Sequence, residues 1–422
     1  MKNQFLNTPL NITLGDQSLV SATNFFVGII LARYLGVEEF GIFSLLWMMI
    51  LFIQSIQMAA IISPMMSIGP ILDESDQHDY YQALTSQQII YSFISSFFLY
   101  LSLFFLSILF PDWHLMDYAL PLSVTAFLSQ NQDFIRRILF IEGKVSTAFF
   151  LDVLAYGLRL LILIFIFRND YLSIVNTLWS ISAALCVSLA FGVKNLHIPS
   201  INQSAIINAH RRNWHTSKWL LGSAIMLWAS GNYFVVTAGI ILGPISVGII
   251  KAVGNLIGLT NIIFLGLENI APSGASRAMR VSGISGLYSY LINLLLYGGI
   301  VIVIILVFLS TFSEPLIELI YGNDYSGNGY ILIWYCSYTL IQFINFPFLI
   351  GLRSLEQTKP IFISYIITTL FSLSSAHILV SIFNIHGVML GMLINNIIML
   401  FISYYYFFKL HKLHDLRNQT RS

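Results

Sequence analysis

The stretch YSYLINLLLYGGIVIVIILVFLS, residues 288–310, decides the class of fold because it contains no Asp, Glu, Lys or Arg. An α-helix rises about 1.5 Å per residue, so roughly 20 apolar residues cross the hydrocarbon core of a bilayer. Lipid offers the backbone no hydrogen-bond partner, and a helix satisfies its own backbone groups. The stretch therefore predicts a membrane-spanning helix.

Further segments of similar length and hydropathy lie on both sides of it. Only 9% of the residues are charged and 57% are hydrophobic, whereas about 25% are charged in soluble domains. With residues 288–310, these segments predict an all-α integral membrane protein with twelve transmembrane helices. They are residues 14–34, 41–63, 87–110, 117–135, 146–167, 173–193, 217–240, 246–268, 328–350, 361–382 and 387–408.

The positions of Lys and Arg predict the orientation of these helices. Positive charge is retained on the cytoplasmic side, and most of the 20 basic residues fall on one side if the N-terminus is inside. Arg136, Arg137 and Lys144 are counted in one such loop. We therefore predict a multi-pass membrane protein with both termini in the cytoplasm.

An internal repeat predicts how the helices are grouped. A shift of 207 residues superimposes Leu35-Gly36 on Leu242-Gly243 and Gly41 on Gly248, so an LGxxxxG turn occurs twice. A repeat after six helices preserves orientation and predicts two parallel, pseudo-symmetric six-helix bundles. We predict bundles at residues 1–193 and 217–422, a cytoplasmic linker at 194–216, and a substrate path between the bundles.

Polar residues on the first helix form one candidate site. Gln17, Ser21, Asn24 and Gly28 recur at helical spacing and share a face, with Asp16 beside them. Such a stripe is typical either of a hydrated cavity wall or of hydrogen bonds between helices. Both interpretations remain open, and Gln17 and Asn24 are candidate substrate-binding residues.

The eighth predicted helix carries a candidate binding cation. Lys251, Asn255 and Gly258 repeat the same spacing, and an ionisable group at membrane depth implies a wet or protein-lined environment. We predict that Lys251 meets an anionic group of the substrate, with Asn255 beside it.

The fifth predicted helix carries two opposite charges. Asp152 and Arg159 are seven residues apart, which is roughly 10 Å along a helix and too far for a close ion pair. Each is expected to pair with another helix or with substrate, and Asp133 is a candidate partner for Arg159. Asp16, Asp133 and Asp152 are candidates for coupling to protons.

Several classes of site are not predicted. The net charge of +1 does not favour nucleic-acid binding. The two cysteines lie in apolar runs, and the chain lacks Walker, GxSxG, HExxH and CxxC motifs. We therefore predict no metal site, no cofactor and no catalytic residue, and the chain is not expected to be an enzyme.

Five longer segments carry turn and packing signatures that together cover nearly the whole chain. The first is LGDQSLVSATNFFVGIILARYLGVEEFGIFSLL, at 14–46. The others are RRILFIEGK at 136–144, LGPISVGIIKAVGNLIGLTNIIFLGLENIAP at 242–272, EPLIELIYGNDY at 314–325 and LRSLEQTKP at 352–360. These segments resemble polysaccharide flippases of the multidrug/oligosaccharidyl-lipid/polysaccharide (MOP) superfamily, the O-antigen or Wzx-type exporters, which implies a location in the bacterial cytoplasmic membrane.

The resemblance implies a MATE/MOP-like fold, with two six-helix bundles around a V-shaped cavity and transport by alternating access. The implied cargo is an oligosaccharide repeat unit on undecaprenyl diphosphate, in contact with membrane lipid and polysaccharide-assembly proteins. Basic residues of such cavities are thought to receive diphosphate or acidic sugars, a role open to Lys251 and Arg159. A lipid II flippase of the superfamily is expected to have two additional C-terminal helices beyond the twelve predicted here, which counts against that assignment.

Two alternatives remain open. A multidrug and toxin extruder of the same superfamily would carry free cations and would need an acidic, aromatic cavity, which Lys251 and Arg159 disfavour. A membrane polysaccharide polymerase usually needs a sizeable external loop, whereas the longest predicted here is only 311–327.

Overall fold

The computed structural model of the protein describes residues 9–200, 202–357 and 359–419. These residues form helices and short connections and contain no strand. Nine helices in the described ranges are long and apolar enough to cross a membrane. The prediction of an all-α integral membrane fold is confirmed.

Kinks explain how nine long helical segments contain most of the twelve predicted spans. The helix Asn261–Thr311 bends at Ser282 and Gly283, between the eighth and ninth predicted spans. The helix Lys359–Gln419 bends at Asn384, between the last two. The fourth predicted span is the helix Leu115–Ile141, whose four charged residues keep its hydropathy low.

Two compact units divide the chain. Unit 1 comprises Met1–Leu35 and Ile42–Ile225, and unit 2 comprises Gly36–Gly41 and Met226–Ser422. The division falls inside one continuous helix, Gln203–Leu242. Residues 194–216, predicted as a linker, therefore fall within unit 1, and this stretch is helical from Gln203 onward.

Unit 1 is built from helices that are interrupted by two π-helical turns. These turns are Met58–Ile62 and Val153–Gly157. The α-helices are Pro9–Leu35, Val37–Gln57 from Ile42 onward, Ser63–Ile68, Glu74–Leu109, Leu115–Ile141, Val145–Asp152, Leu158–Arg168, Ile174–Gly192 and the first part of Gln203–Leu242.

Unit 2 contains the remaining helices and one close contact between the two copies of the LGxxxxG turn. These helices are the end of Gln203–Leu242, then Pro244–Ile257, Asn261–Thr311, Ser313–Tyr321, Gly329–Ser354 and Lys359–Gln419. A Cβ atom on Gly41 would lie 1.9 Å from the Pro244 carbonyl oxygen, and one on Gly248 would lie 2.0 Å from that of Val37. The repeated glycines thus allow the two turns to pack backbone against backbone.

Candidate functional site

A cavity of about 430 Å³ lies within unit 1. Its wall includes Asn24 from Pro9–Leu35, Trp47 from Val37–Gln57, Arg136 from Leu115–Ile141 and Arg159 from Leu158–Arg168. Glutamine and serine side chains complete much of the polar lining. This volume is within the usual range for small-molecule pockets.

Both π-helical turns border this cavity. Met58 begins the first turn, and Ala155 and Tyr156 belong to the second; all three line the wall. A π-helical turn inserts an extra residue and rotates the helix that follows it, and such turns are frequent at functional sites. The second turn lies between Asp152 and Arg159, so it sets the direction in which each charge projects.

Arg159 carries a positive charge that no carboxylate neutralises within the described residues. It is only 6% exposed, and its Nη1 donates to the Asn24 side-chain oxygen at 3.3 Å. Its guanidinium carbon lies 5.2 Å from the centre of the Trp47 ring, within the range of a cation–π interaction. Its Nε has no hydrogen-bond partner, and no carboxylate in the described ranges lies within 4.0 Å.

Arg136, in contrast, is shared by two carboxylates. Its Nη2 lies 2.6 Å from Asp16 Oδ2, and its Nε lies 2.5 Å from Asp152 Oδ2. Gln132 donates to the other oxygen of Asp152 at 2.7 Å. Both aspartates are buried, so this Asp16–Arg136–Asp152 triad joins three helices of unit 1.

Two expectations from the sequence are corrected here. Arg136 and Arg137 were counted in a cytoplasmic loop, but the helix continues to Ile141 and carries both of them. Asp133 was a candidate partner for Arg159 but pairs instead with Arg137, at 3.3 Å, one turn further along its own helix. The charges of Arg136 and Arg137 lower the local hydropathy, which is why these residues were predicted to lie in a loop. Their ion pairs with aspartates balance those charges within the helix.

The remaining candidate residues lie elsewhere. Gln17 is partly buried and is not part of the described cavity wall. Lys251 and Asn255 lie in unit 2 on Pro244–Ile257, where Asn255 interacts with the hydroxyl group of Tyr321. Among described residues, no carboxylate lies within ion-pairing distance of Lys251.

Sequence reasoning did not find Trp47, Gln132 or Tyr156 as wall residues. Trp47 and Tyr156 lie in apolar runs, where an aromatic residue usually faces lipid or core. Gln132 precedes Arg136 by one helical turn, and that spacing is the signal that could have placed both on one face.

Comparison with known proteins identifies the fold. No protein-family model and no curated protein matches the chain. A solved structure of an inward-facing multidrug resistance MATE family transporter of the MOP superfamily matches with a TM-score of 0.72, at 17% identity, over 94% of this chain and 95% of the other. The protein has the MATE transporter fold.

Two further structures support this assignment. An outward-facing multidrug resistance MATE family transporter matches with a TM-score of 0.61, at 17% identity, over 94% of this chain and 93% of the other. A MOP superfamily transporter from Pyrococcus furiosus matches with a TM-score of 0.62, at 16% identity, with the same coverage. That transporter is described as having a binding pocket of reverse polarity that suggests a different function. At these identities the MATE likeness defines the fold and leaves the substrate to the chemistry of the cavity.

Proposed function

We propose that the protein translocates a polyprenyl-diphosphate-linked oligosaccharide repeat unit across the cytoplasmic membrane by alternating access, with both termini in the cytoplasm. The observation that carries the proposal is Arg159, a buried guanidinium that faces the cavity without a neutralising carboxylate among the described residues. Isolated charge at membrane depth costs several kcal/mol, roughly 2.5 or more. An anionic substrate would offset that cost.

The surroundings of Arg159 suit the headgroup of such a substrate. Asn24 accepts a hydrogen bond from one guanidinium nitrogen, and the Trp47 ring lies against the guanidinium group. The Arg159 side chain also lines the cavity, which an oxyanion would enter. Hydrogen bonds between charged groups are roughly twice as strong as neutral ones. Arg159 would therefore bind a phosphate or sugar carboxylate, while glutamine and serine side chains of the wall meet sugar hydroxyl groups.

The volume of the cavity suits part of such a substrate. A space of about 430 Å³ accommodates a diphosphate or a sugar but not a long prenyl chain. The prenyl chain would remain in the lipid while the polar headgroup enters unit 1. In unit 2, Lys251 and Asn255 are the residues we propose for the same cargo, and Lys251 likewise lacks a carboxylate partner among described residues.

The same charges disfavour an extruder of cationic drugs. A cationic drug needs an available carboxylate, but Arg136 occupies Asp16 and Asp152, and Arg137 occupies Asp133. The Pyrococcus furiosus transporter, described as having a pocket of reverse polarity, provides a precedent for using pocket charge to separate functions on this fold. A polysaccharide polymerase has no supporting observation in the cavity.

Asp16 and Asp152 are the residues that we propose for proton coupling. Both aspartates bind Arg136, so a proton bound by either carboxylate would weaken the hold on Arg136. Asp133 is the weaker candidate because Arg137 already balances its charge. Asp16→Asn should remove the dependence of transport on a proton gradient in proteoliposomes; retention of that dependence would exclude Asp16.

The proposed function is tested by complementation of a strain that lacks its own flippase. Arg159→Ala should abolish most surface polysaccharide at matched protein levels, and Arg159→Lys should restore part of it, because the positive charge returns. Arg168→Ala is the matched control, since Arg168 is an exposed arginine at the end of the same helix.

Three outcomes are informative. Loss of surface polysaccharide in Arg159→Ala, together with normal surface polysaccharide in Arg168→Ala, supports the proposal. Full polysaccharide in Arg159→Ala removes Arg159 from it. If the wild-type protein fails to restore polysaccharide but raises resistance to cationic drugs, the extruder is the correct function.

A further inference from the structure

The helix Gln203–Leu242 is much longer than a membrane requires. Its 40 residues span about 60 Å, whereas about 20 residues cross the hydrocarbon core. The apolar part follows Lys218, so the preceding turns project beyond the core on the side that we predict to be cytoplasmic. This projecting part contains Arg211 and Arg212 and, like the whole helix, no Asp or Glu.

One face of the projecting part is fixed to unit 1. Asn213 and Ser217 are buried; the Tyr80 hydroxyl donates to the Asn213 side-chain oxygen at 2.7 Å, and the Ser217 hydroxyl donates to the Ala60 carbonyl at 3.0 Å. Gln87 donates to the carbonyl of Ile206 at 2.8 Å. These bonds fix the rotation of the helix about its axis.

A different face presents alternating apolar and basic side chains. Ile207, Arg211, Trp214 and Lys218 follow the i, i+4, i+7, i+11 spacing of a single helix face. All four are exposed, Ile207 and Trp214 at 49% each. We call these four residues the basic stripe.

This composition fits the boundary between lipid and water. Trp side chains are enriched at that boundary, and Lys and Arg extend toward headgroups from it. Trp219, 66% exposed, follows directly, and the Lys218 ammonium lies 5.6 Å from its ring centre. Water alone would solvate the cations but would not compensate for the exposed Ile207 and Trp214.

We propose that the basic stripe binds the headgroups of anionic phospholipids in the adjoining leaflet. Charge complementarity favours this partner, because anionic leaflets attract basic segments that lie next to a span. The helix Gln203–Leu242 contains no acidic residue, so no carboxylate of the same helix weakens the attraction. The site is separate from the cavity and does not depend on the proposed cargo.

The test measures lipid retention by native mass spectrometry. Delipidated full-length protein is mixed with equal amounts of phosphatidylglycerol and phosphatidylcholine, and the ratio of bound lipids is compared between variants. Because each basic side chain at an anionic surface contributes about fivefold in affinity, Arg211→Gln with Lys218→Gln should lower the preference for phosphatidylglycerol at least severalfold.

Arg212→Gln is the matched control. It removes the same charge from the adjacent position, but Arg212 points away from the stripe and lies near Tyr80. Its lipid preference should equal that of the wild-type protein. An unchanged preference in the double variant, or an equal loss in Arg212→Gln, would overturn the proposal.

A second measurement separates lipid from protein as the partner. A photoreactive amino acid in place of Trp214 is activated in membranes of cells that express the full chain. Cross-linked phospholipid supports the proposal, whereas cross-linking to a protein, without lipid, would overturn it.

Discussion

The two units differ most in the chemistry of their interiors. Among the described residues, the charged side chains that are nearly inaccessible to solvent all belong to unit 1: Asp16, Asp152 and Arg159. The buried polar side chains of unit 2 are Ser, Thr and Asn, which form hydrogen bonds within their own helix or to a neighbouring helix. Asn395, for example, donates to the Ser230 carbonyl at 2.9 Å and to the Ser372 hydroxyl at 2.8 Å.

The internal repeat allows equivalent positions of the two halves to be compared directly. Gly41 and Gly248 are repeat-equivalent, and both allow the close turn contact in unit 2. The polar residues are not equivalent: Asp16 aligns with Ser223, Asn24 with Gly231, and Lys251 with Ser44. The backbone pattern was therefore retained in both halves, while the charged chemistry was placed differently in each.

The largest expected effect comes from breaking the triad of unit 1. Arg136→Ala leaves Asp16 and Asp152 buried without their cation, and loss of one partner of a buried ion pair costs about 3–5 kcal/mol. Thermal unfolding in detergent should occur at a much lower temperature. The triple variant Arg136→Met, Asp16→Asn, Asp152→Asn should recover most of the lost thermal stability. If it does not, the stabilising role of Arg136 does not depend on its charge.

The glycine contact should respond next most strongly. Gly41→Ala or Gly248→Ala places a Cβ atom inside the opposing carbonyl, and overpacking of this kind costs about 1–3 kcal/mol. Gly15→Ala and Gly222→Ala are matched controls, because these repeat-equivalent glycines have no atom within 4 Å of an added Cβ. Equal thermal stability of both pairs would contradict the close contact.

A smaller effect is expected at the aromatic wall of the cavity. Trp47→Ala removes the ring that faces Arg159, and a cation–π interaction contributes about 0.5–2 kcal/mol. Transport in proteoliposomes should fall severalfold, and Trp47→Phe should retain most of it. A Trp47→Phe variant as inactive as Trp47→Ala would indicate that the indole has another role.

The smallest effect on stability is expected in unit 2. Lys251 has no ion-pair partner among the described residues. The free energy of unfolding of Lys251→Met should therefore lie within about 0.5 kcal/mol of the wild-type value or slightly above it. Transport should still fall if Lys251 meets the cargo. A large loss of stability would instead reveal a structural role and remove the contrast with Arg136.

The sequence predicted the spans well because length and hydropathy alone determine whether a helix can cross a bilayer. It also placed boundaries between spans near Gly283 and Asn384, where positive φ angles of 63° and 51° interrupt the helices, but it did not predict that each boundary is a kink instead of a loop. The hydropathy profile falls between two spans in the same way whether a kink or a loop connects them, so it cannot distinguish the two.

The site was less predictable. The placement of Asn24 and Arg159 on one cavity wall agrees with their polarity at membrane depth, but ion-pair partners depend on helix rotation, which the π-helical turn at Val153–Gly157 changes. Arg136 was assigned to a loop because a charged pair ends an apolar run. Only the positions of Asp16 and Asp152 on neighbouring helices show how that charge is accommodated.

The central claim is that the cavity of unit 1 binds an anion through Arg159. It is tested most directly by measuring the affinity of purified protein for a short-chain polyprenyl diphosphate and for the uncharged polyprenol. A hydrogen bond between charged groups contributes about 1.5–3 kcal/mol. Arg159→Ala should therefore weaken diphosphate binding by at least about tenfold and leave polyprenol binding unchanged. The control variant Arg168→Ala should bind both ligands with the affinity of the wild-type protein. Equal diphosphate affinity in wild type and Arg159→Ala would contradict the account.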